Sequence, residues 1–591
     1  MSEAVRAGTG TGEYPGNPWV RDIQRAFRNS RIGNAENRGL DSQFAVETYV
    51  ETYLDQRLIP RVVGGDYSAV FLAGNPGDGK TAFLVKLFDH LKRAGGVPNG
   101  RSAHGWDISL GDRRFVALYD ASESQDGASS AAALEVVLGP LGDSPTDDEI
   151  RYTALIAVND GRLREFLDGN SRYARLAAQL WATDSAEGTS DRRVVLVDLK
   201  ERSVVGSLES TSAEDTIFDR VLGAFLRGDK WANCDGCPAL GRCPARFNRD
   251  TLADPESGPQ VRSRLRDLLR IIHLRRARHV TLRDLRSLLS YVVVGTATCE
   301  QVQGEVASGN STTDAIDRLY FAASFNPLSE QEDNLLDLAL CDPGQVALPR
   351  VERLLHYRRE RPDALSDLTM PFGQRSSEPL GALSYETLGL RWYRLMKQRL
   401  YFEGDGSLMQ QQDPPMPSPT AMLPFRHYGH FDKAMRAQLP RTQLRDELCQ
   451  SISCSDGIVD ERAQGKGLCI LTNSNEDVQL TVFKRFGHSQ FVCTPAPAPA
   501  SGLTEFLPNS LRLDFFGQDV RLEIDLDLFE ILMRLRDGYQ PGAPSQEPFL
   551  VDLRQFKNRL LTAPSSSLVL MEGGRQLYEV EQDAGDISIS A

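Results

Sequence analysis

The sequence predicts an α/β fold, with a parallel sheet carrying a helical lid region, followed by a separate α+β C-terminal domain. Three observations predict it. Short apolar runs alternate with helical stretches as far as residue 198, and a glycine-rich loop joins the first run to a helix. After a Pro- and Gln-rich stretch at 409–419 (MQQQDPPMPSP), the texture changes to short alternating runs such as LRLDFF, VRLEIDL and SLVLMEG.

At 591 residues the chain is too long for one core, and a prior of roughly 150 residues per domain gives about three or four units. Apolar residues make up 41% and charged residues 25%, the balance of a globular rather than a disordered chain. The formal net charge of −14 argues against a protein that coats nucleic acid with its whole surface, though a local basic patch could still touch it. The first residues lack the apolar core of a signal peptide. No run approaches the roughly 18 consecutive apolar residues of a membrane span. The expectation is a cytoplasmic protein without a membrane partner. Nine cysteines in so long a chain do not make a disulfide scaffold.

Taken in order, residues 1–41 read as a flexible leader and N-terminal segment. Apolar groups recur at helical spacing over 42–63, with Asp41 or Ser42 as cap. Tyr67–Gly74 (YSAVFLAG) has the texture of a buried parallel strand. The segment TAFLVKLFDHLKRAG is helical, and RRFVALY at 113–119 is a second apolar run, closed by Asp120. Helical stretches at 128–139 and about 161–183 precede a third run, RRVVLVD, from Arg192 to Asp198. Beyond Ala213 the chain turns largely helical, interrupted by a cysteine cluster. The domain boundaries expected are 42–300 for the core with cysteine cluster and helical lid, 301–405 for a helical domain, 406–424 for a linker and 425–591 for the α+β domain. TPAPAPA at 494–500 reads as an extended connector within the last.

The loop carries the chemistry. Gly74-Asn75-Pro76-Gly77-Asp78-Gly79-Lys80-Thr81 fits G-x-x-x-x-G-K-[ST] at every fixed position, between an apolar strand and a helix. A triphosphate needs several backbone N–H groups pointing inward, and glycine lets the chain curl that tightly. The following helix N-terminus adds positive partial charge. Lys80 supplies a point charge for the β- and γ-phosphates, and Thr81 offers a hydroxyl to Mg²⁺. The expectation is a P-loop nucleoside triphosphatase core that binds ATP with Mg²⁺. The metal also needs a carboxylate at a strand end, and Asp120 and Asp198 compete. In P-loop proteins of the additional-strand class one strand intervenes in sequence between the loop and that carboxylate, which favours Asp198. Glu201 could polarise the attacking water, but Leu199 stands where an adjacent Glu is common, and a solvated loop charge is an equal reading of Glu201.

This P-loop, with VVLVDLKERSVV, resembles P-loop ATPases of the AAA+/STAND type. More narrowly, it resembles the large bacterial ATPases of anti-phage and DNA-modification-dependent restriction systems, of the DptF type. RNSRIGNAENRGLD, HVTLRDLRSLLSYVV and KQRLYFEGD carry the rest of the likeness, which spans residues 20–405. The resemblance implies a polar sensor at the end of a fourth strand, for which Asn248 is the candidate, and an arginine on a lid helix, for which Arg283 is. It also implies protein partners or a homo-oligomer, and DNA. Thr281 and Asp284 have capping-box-like spacing, which puts Arg283 in the first turn of its helix.

Cys234-x2-Cys237-x5-Cys243-Pro244 is the second chemical feature. A C-x2-C knuckle sets two thiolates on one ion, and zinc asks for a fourth ligand, with Cys299 or His279 available. An iron–sulfur cluster is the alternative, although no cysteine precedes Cys234, and three unligated thiols are a third reading. Arg262, Arg264, Arg266, Arg270, Arg275, Arg276, Arg278, Arg283 and Arg286 crowd one helical span, opposed by Asp267 and Asp284. They read either as a phosphate-binding face or as charge paired to acidic groups elsewhere. Two alternative functions stay open: a PD-(D/E)xK-like nuclease, because Asp198-x-Lys200 ends an apolar strand, and a nucleotide-gated scaffold with little hydrolysis.

Overall fold

The structure is a computed structural model. It describes residues 14–27, 42–121, 130–142, 151–181, 193–209, 215–275, 279–309, 313–326, 336–458, 467–475, 480–499, 501–516, 518–539, 548–564, 567–572, 575–583 and 586–590. The chain divides into two compact units, one of residues 1–267, 280–422 and 500–505, the other of 268–279, 423–499 and 506–591.

The first unit is mixed α/β. Its sheet has the order β2-β3-β4-β5-β1-β6, where the strands are β1 (Ala69–Ala73), β2 (Val97–Ser102), β3 (Gly105–Leu110), β4 (Arg113–Leu118), β5 (Tyr152–Val158) and β6 (Val194–Asp198). β4, β5, β1 and β6 run parallel. The hairpin β2–β3 adds an antiparallel edge, so the sheet is mixed, not purely parallel as the sequence predicts. β1 lies between β5 and β6 with all five residues buried. Successive side chains of a strand face opposite sides. Val70 and Leu72 therefore pack with Leu84, Leu87 and Phe88 of the helix Lys80–Arg93. Ala69 and Phe71 pack with Leu163, Leu167 and Tyr173 on the other face.

Two differences from the expected element order matter. β5 falls outside the three apolar runs, although it is buried throughout. The segment 42–63 is not one helix but the short helices Gln43–Glu47, Leu54–Leu58 and Ile59–Val63. Ser42 caps the first, its hydroxyl accepting from the Ala45 N–H at 3.1 Å, while Asp41 lies outside the described residues. In the 409–419 stretch, Met409 and Met416 are buried, so part of the expected linker is packed.

Glu403, 0% exposed, anchors the helical part of this unit. Its carboxylate accepts from Arg375 at 2.8 and 3.1 Å, from Arg399 at 2.9 Å and from the Tyr320 hydroxyl at 2.9 Å. Burial opposes its charge, but Arg399 and Arg375 outweigh burial and hold the carboxyl down at about 2.

The second unit is α+β and built on antiparallel sheets. Five strands take the order β14-β13-β12-β8-β7 and three the order β11-β10-β9. These are β7 (Gly467–Asn475), β8 (Leu480–Gly487), β9 (Phe491–Pro495), β10 (Leu511–Phe515), β11 (Val520–Ile524), β12 (Ser567–Glu572), β13 (Arg575–Asp583) and β14 (Asp586–Ser590). β11 shows strict in-out alternation, Val520, Leu522 and Ile524 being buried and Arg521 and Glu523 exposed. Among the described residues no helix is long and apolar enough to cross a membrane.

Replacing Glu403 by Gln removes the buried charge that pairs with Arg375 and Arg399, leaving Arg399 with Asp363 at 3.8 Å, and should lower unfolding stability by about 3 kcal/mol, read from the urea midpoint. Because the folded pKa lies below the ordinary 4.5, the wild-type contribution is complete above pH 4.5 and is lost as pH falls from there toward about 2. The variant should lack that component of the acid sensitivity.

Candidate functional site

The C-terminal end of β1 opens into the loop Gly74–Gly79, and the helix Lys80–Arg93 follows. Gly74, Gly77 and Gly79 have φ of 151°, 105° and 84°, a region that glycine enters without steric cost. From inside, the Asp78 carboxylate accepts from the Asn75 N–H at 2.6 Å. Arg202, 3% exposed, donates to the Asp78 carbonyl at 2.6 Å. Lys80 folds back over the curl, its Nζ donating to the carbonyls of Gly74 at 2.7 Å and Asn75 at 3.0 Å. Burial lowers its pKa. Asp78 and Asp120 act against burial, and Arg202 and Arg283 act with it. No side chain caps the helix Lys80–Arg93, so its first-turn N–H groups have no acceptor within the helix. Thr81 is the second residue of that helix and half-buried.

A second helix, Leu282–Val294, meets the loop with its N-terminus. Its capping box is formed: the Thr281 hydroxyl accepts from the Asp284 N–H at 3.1 Å, and the Asp284 carboxylate accepts from the Thr281 N–H at 3.1 Å. Arg283 stands in the first turn, and its N–H donates to the Gly77 carbonyl at 3.2 Å. A Cβ on Gly77 would lie 2.8 Å from the Arg283 Cβ and 3.1 Å from the Thr281 hydroxyl.

Around the loop stand the strand ends. Asp198 ends β6 in register with Ala73, the residue before Gly74. Its carboxylate accepts from the Lys200 N–H at 3.0 Å, and the Lys200 ammonium lies 3.4 Å from Asp198 and 3.3 Å from Asp160. Burial opposes the charge on Lys200, but Asp198 and Asp160 raise its pKa overall. Glu201, one residue further on in the short helix Leu199–Glu201, is raised by burial and then by Asp198.

Four strands, not one, separate β1 from β6 in sequence, so the strand count that favours Asp198 does not describe this chain. Asp120 follows β4, the strand next but one to β1, and is one of the two carboxylates acting on Lys80. Asn159 follows β5 directly and caps the helix Asp160–Asp168, its side chain accepting from the Gly161 N–H at 3.0 Å. Sequence reasoning missed Asn159 because it missed β5, and missed Arg202 because a buried arginine after a strand has no pattern of its own.

Asn248 does not end a strand. It lies in the helix Pro244–Leu252, fully buried, its amide donating to the Val292, Val293 and Arg318 carbonyls and its oxygen accepting from the Tyr320 N–H at 2.8 Å. Its side-chain amide and oxygen are both engaged in joining helices, and the expected place at the end of a fourth strand is not where it lies.

Among the described residues the arginine span is not an open basic face. Arg264, Arg266 and Arg270 are buried. Arg266 pairs with Asp219 at 2.7 Å, Arg270 with Asp432, and Arg275 with Asp527 at 2.9 Å. Arg262, Arg264 and Arg286 donate to the carbonyls of Leu252, Phe402 and Thr48. Arg276 and Arg278 lie outside the described residues.

Cys234, Cys237, Cys243 and Cys299 line one cavity, and His279 does not. All four are free thiols. Burial pushes the Cys243 thiol up to about 12. Among the described residues no three His, Cys, Asp or Glu side chains are grouped so as to hold a metal ion as they stand.

Compared with known proteins, the chain matches no protein-family model, and no curated protein or solved structure at a significant level.

Gly77→Ala combines a left-handed φ with a clash against the Arg283 Cβ. It should destabilise the protein by about 1–3 kcal/mol, measured by thermal unfolding, whereas Gly95→Ala, at φ 96° in open space, should cost only the backbone part of that.

Proposed function

We propose that the chain is a P-loop ATPase of AAA+/STAND type that binds ATP with Mg²⁺ at Gly74–Thr81 and uses its hydrolysis to drive a conformational change. One observation carries the reading. Three glycines at positive φ curl the main chain between the buried strand β1 and an uncapped helix of 14 residues, with the Lys80 ammonium held against the curl. A loop of that kind presents N–H donors and positive partial charge to a triphosphate.

On this reading Lys80 leaves the carbonyls of Gly74 and Asn75 for the β- and γ-phosphates, and stabilises the charge that moves during transfer. Thr81 contributes its hydroxyl to Mg²⁺. Asp120, which follows the strand next but one to β1 and acts on the Lys80 charge, is taken as the carboxylate on the metal side in place of Asp198. Asn159, at the adjacent strand end, is suited to orient the attacking water. Glu201, with its pKa raised, is the candidate base. Arg283 is the lid arginine, since its helix already touches Gly77. The resemblance adds an expectation of protein partners or a homo-oligomer in a DNA-associated bacterial defence complex, testable by turnover with and without DNA.

A second reading, metal-dependent phosphodiester cleavage, is favoured by Asp160, which places another carboxylate beside the Asp198-x-Lys200 pair. Cleavage assayed with Mg²⁺ or Mn²⁺ and no ATP separates the two: Lys80→Ala should leave any intrinsic cleavage in place.

Asp120→Asn should lower kcat for ATP by about 100-fold or more while nucleotide affinity changes far less, and Asp198→Asn should cost about tenfold. The reverse ranking would return the metal to Asp198. Tight ATP binding without wild-type turnover would leave a nucleotide-gated scaffold.

A further inference from the structure

Four thiols reach one cavity from separate stretches of chain. Cys234 and Cys237 lie in a tight turn, Cys243 is the N-cap of the helix Pro244–Leu252, and Cys299 is the first residue of the helix Cys299–Ala307. The cavity measures about 40 Å³, on a scale where one water needs roughly 10–15 Å³. Its walls are otherwise largely apolar, including Val20, Trp231, Val294 and Val302.

Every sulfur has an N–H donor directed at it. The Asn17 side-chain amide donates to Cys234 at 3.2 Å, and the Gln303 amide approaches Cys237 at 3.7 Å. Backbone N–H groups of Ala245 and Arg246 serve Cys243, and that of Asn17 serves Cys299. The donor set fits negative charge held on sulfur, because N–H bonds to ligated thiolates are one of the ways a protein tunes a metal centre. Asn17 is itself fixed by donation to the Lys230 carbonyl at 3.1 Å, and nearby Tyr14 by donation to the Asn233 carbonyl at 2.7 Å.

The arrangement separates two kinds of occupant. A single zinc ion draws four sulfurs to about 2.3 Å from one point and leaves no room between them, whereas these four line a cavity with room for roughly three waters, and a cube of iron and sulfide is what four thiolates around a space can hold. We propose that Cys234, Cys237, Cys243 and Cys299 ligate a [4Fe–4S] cluster. Loading is a ligand exchange without change of oxidation state, from a cluster delivered on carrier thiolates: each cysteine sulfur bonds one iron, that iron's bond to a carrier thiolate breaks, and the cysteine proton leaves on the displaced sulfur as a thiol. The cluster would tie the 234–243 turn to the helix Cys299–Ala307. The inference is independent of the nucleotide reading.

The test is full-length protein purified without oxygen. Expected are a brown colour with broad visible absorbance, and iron and acid-labile sulfide in equal amounts, about four of each per chain. Cys234→Ser and Cys243→Ser should each lower iron content at least tenfold, and Cys341→Ser, a buried cysteine that does not line the cavity, should keep it. Colourless wild-type protein carrying one zinc per chain would overturn the cluster in favour of a single ion. Metal-free wild-type protein, with Cys234, Cys237, Cys243 and Cys299 each found alkylated by peptide mapping, would overturn any metal site.

Discussion

The turn from β1 into the helix Lys80–Arg93 is a backbone shape that few sequences can adopt, and the surrounding groups are arranged to hold it. Three left-handed or near-extended glycines make the curl possible, but glycine also gives the unfolded chain the most freedom to lose. The curl is therefore fixed from several directions. Asp78 bonds the Asn75 N–H from within, Arg202 holds the Asp78 carbonyl from below, and the Arg283 N–H meets the Gly77 carbonyl from the second helix. Lys80 closes the mouth over two loop carbonyls. Strained backbone persists where neighbours over-determine it, and such preorganisation is what recognition of a phosphate chain requires.

Arginine has a consistent part in this architecture. A guanidinium keeps its charge when buried and offers several donors in a plane, so it can satisfy carbonyls that end helices and loops. Arg202 does so at Asp78, Arg264 at Phe402 and Arg286 at Thr48. Glu403 gathers Arg375, Arg399 and Tyr320 into one closed network. Arg262, Arg264, Arg266, Arg270, Arg275 and Arg286, which read in sequence as one basic run, thus serve as internal bracing. Charge counts along a sequence cannot show this, because they do not tell which carbonyl a side chain reaches.

What the sequence shows and hides follows physical signal strength. The strand Ala69–Ala73, the loop and its helix were legible because an apolar run, obligatory glycines and helical periodicity stand side by side. The capping box of Thr281 and Asp284 was legible because its spacing is local. β2 was not: all six residues are exposed, so no alternation marks it. β5 was not singled out, since its apolar run lies beside polar stretches that drew the boundaries elsewhere, and with it went Asn159. Asn248 was misplaced because an asparagine at a strand end and one buried among helix termini look alike in sequence. Cys234, Cys237 and Cys243 were legible by type and spacing, whereas Cys299 stood level with His279 and the cavity that all four cysteines line had no sequence signal.

If the loop from Gly74 to Thr81 is a phosphate cradle closed by the Lys80 ammonium, isothermal titration of Mg·ATP should give saturable binding to the wild-type protein and affinity at least tenfold lower, about 1.4 kcal/mol, in Lys80→Ala. Equal affinity in the two proteins, or no binding to either, would rule the cradle out.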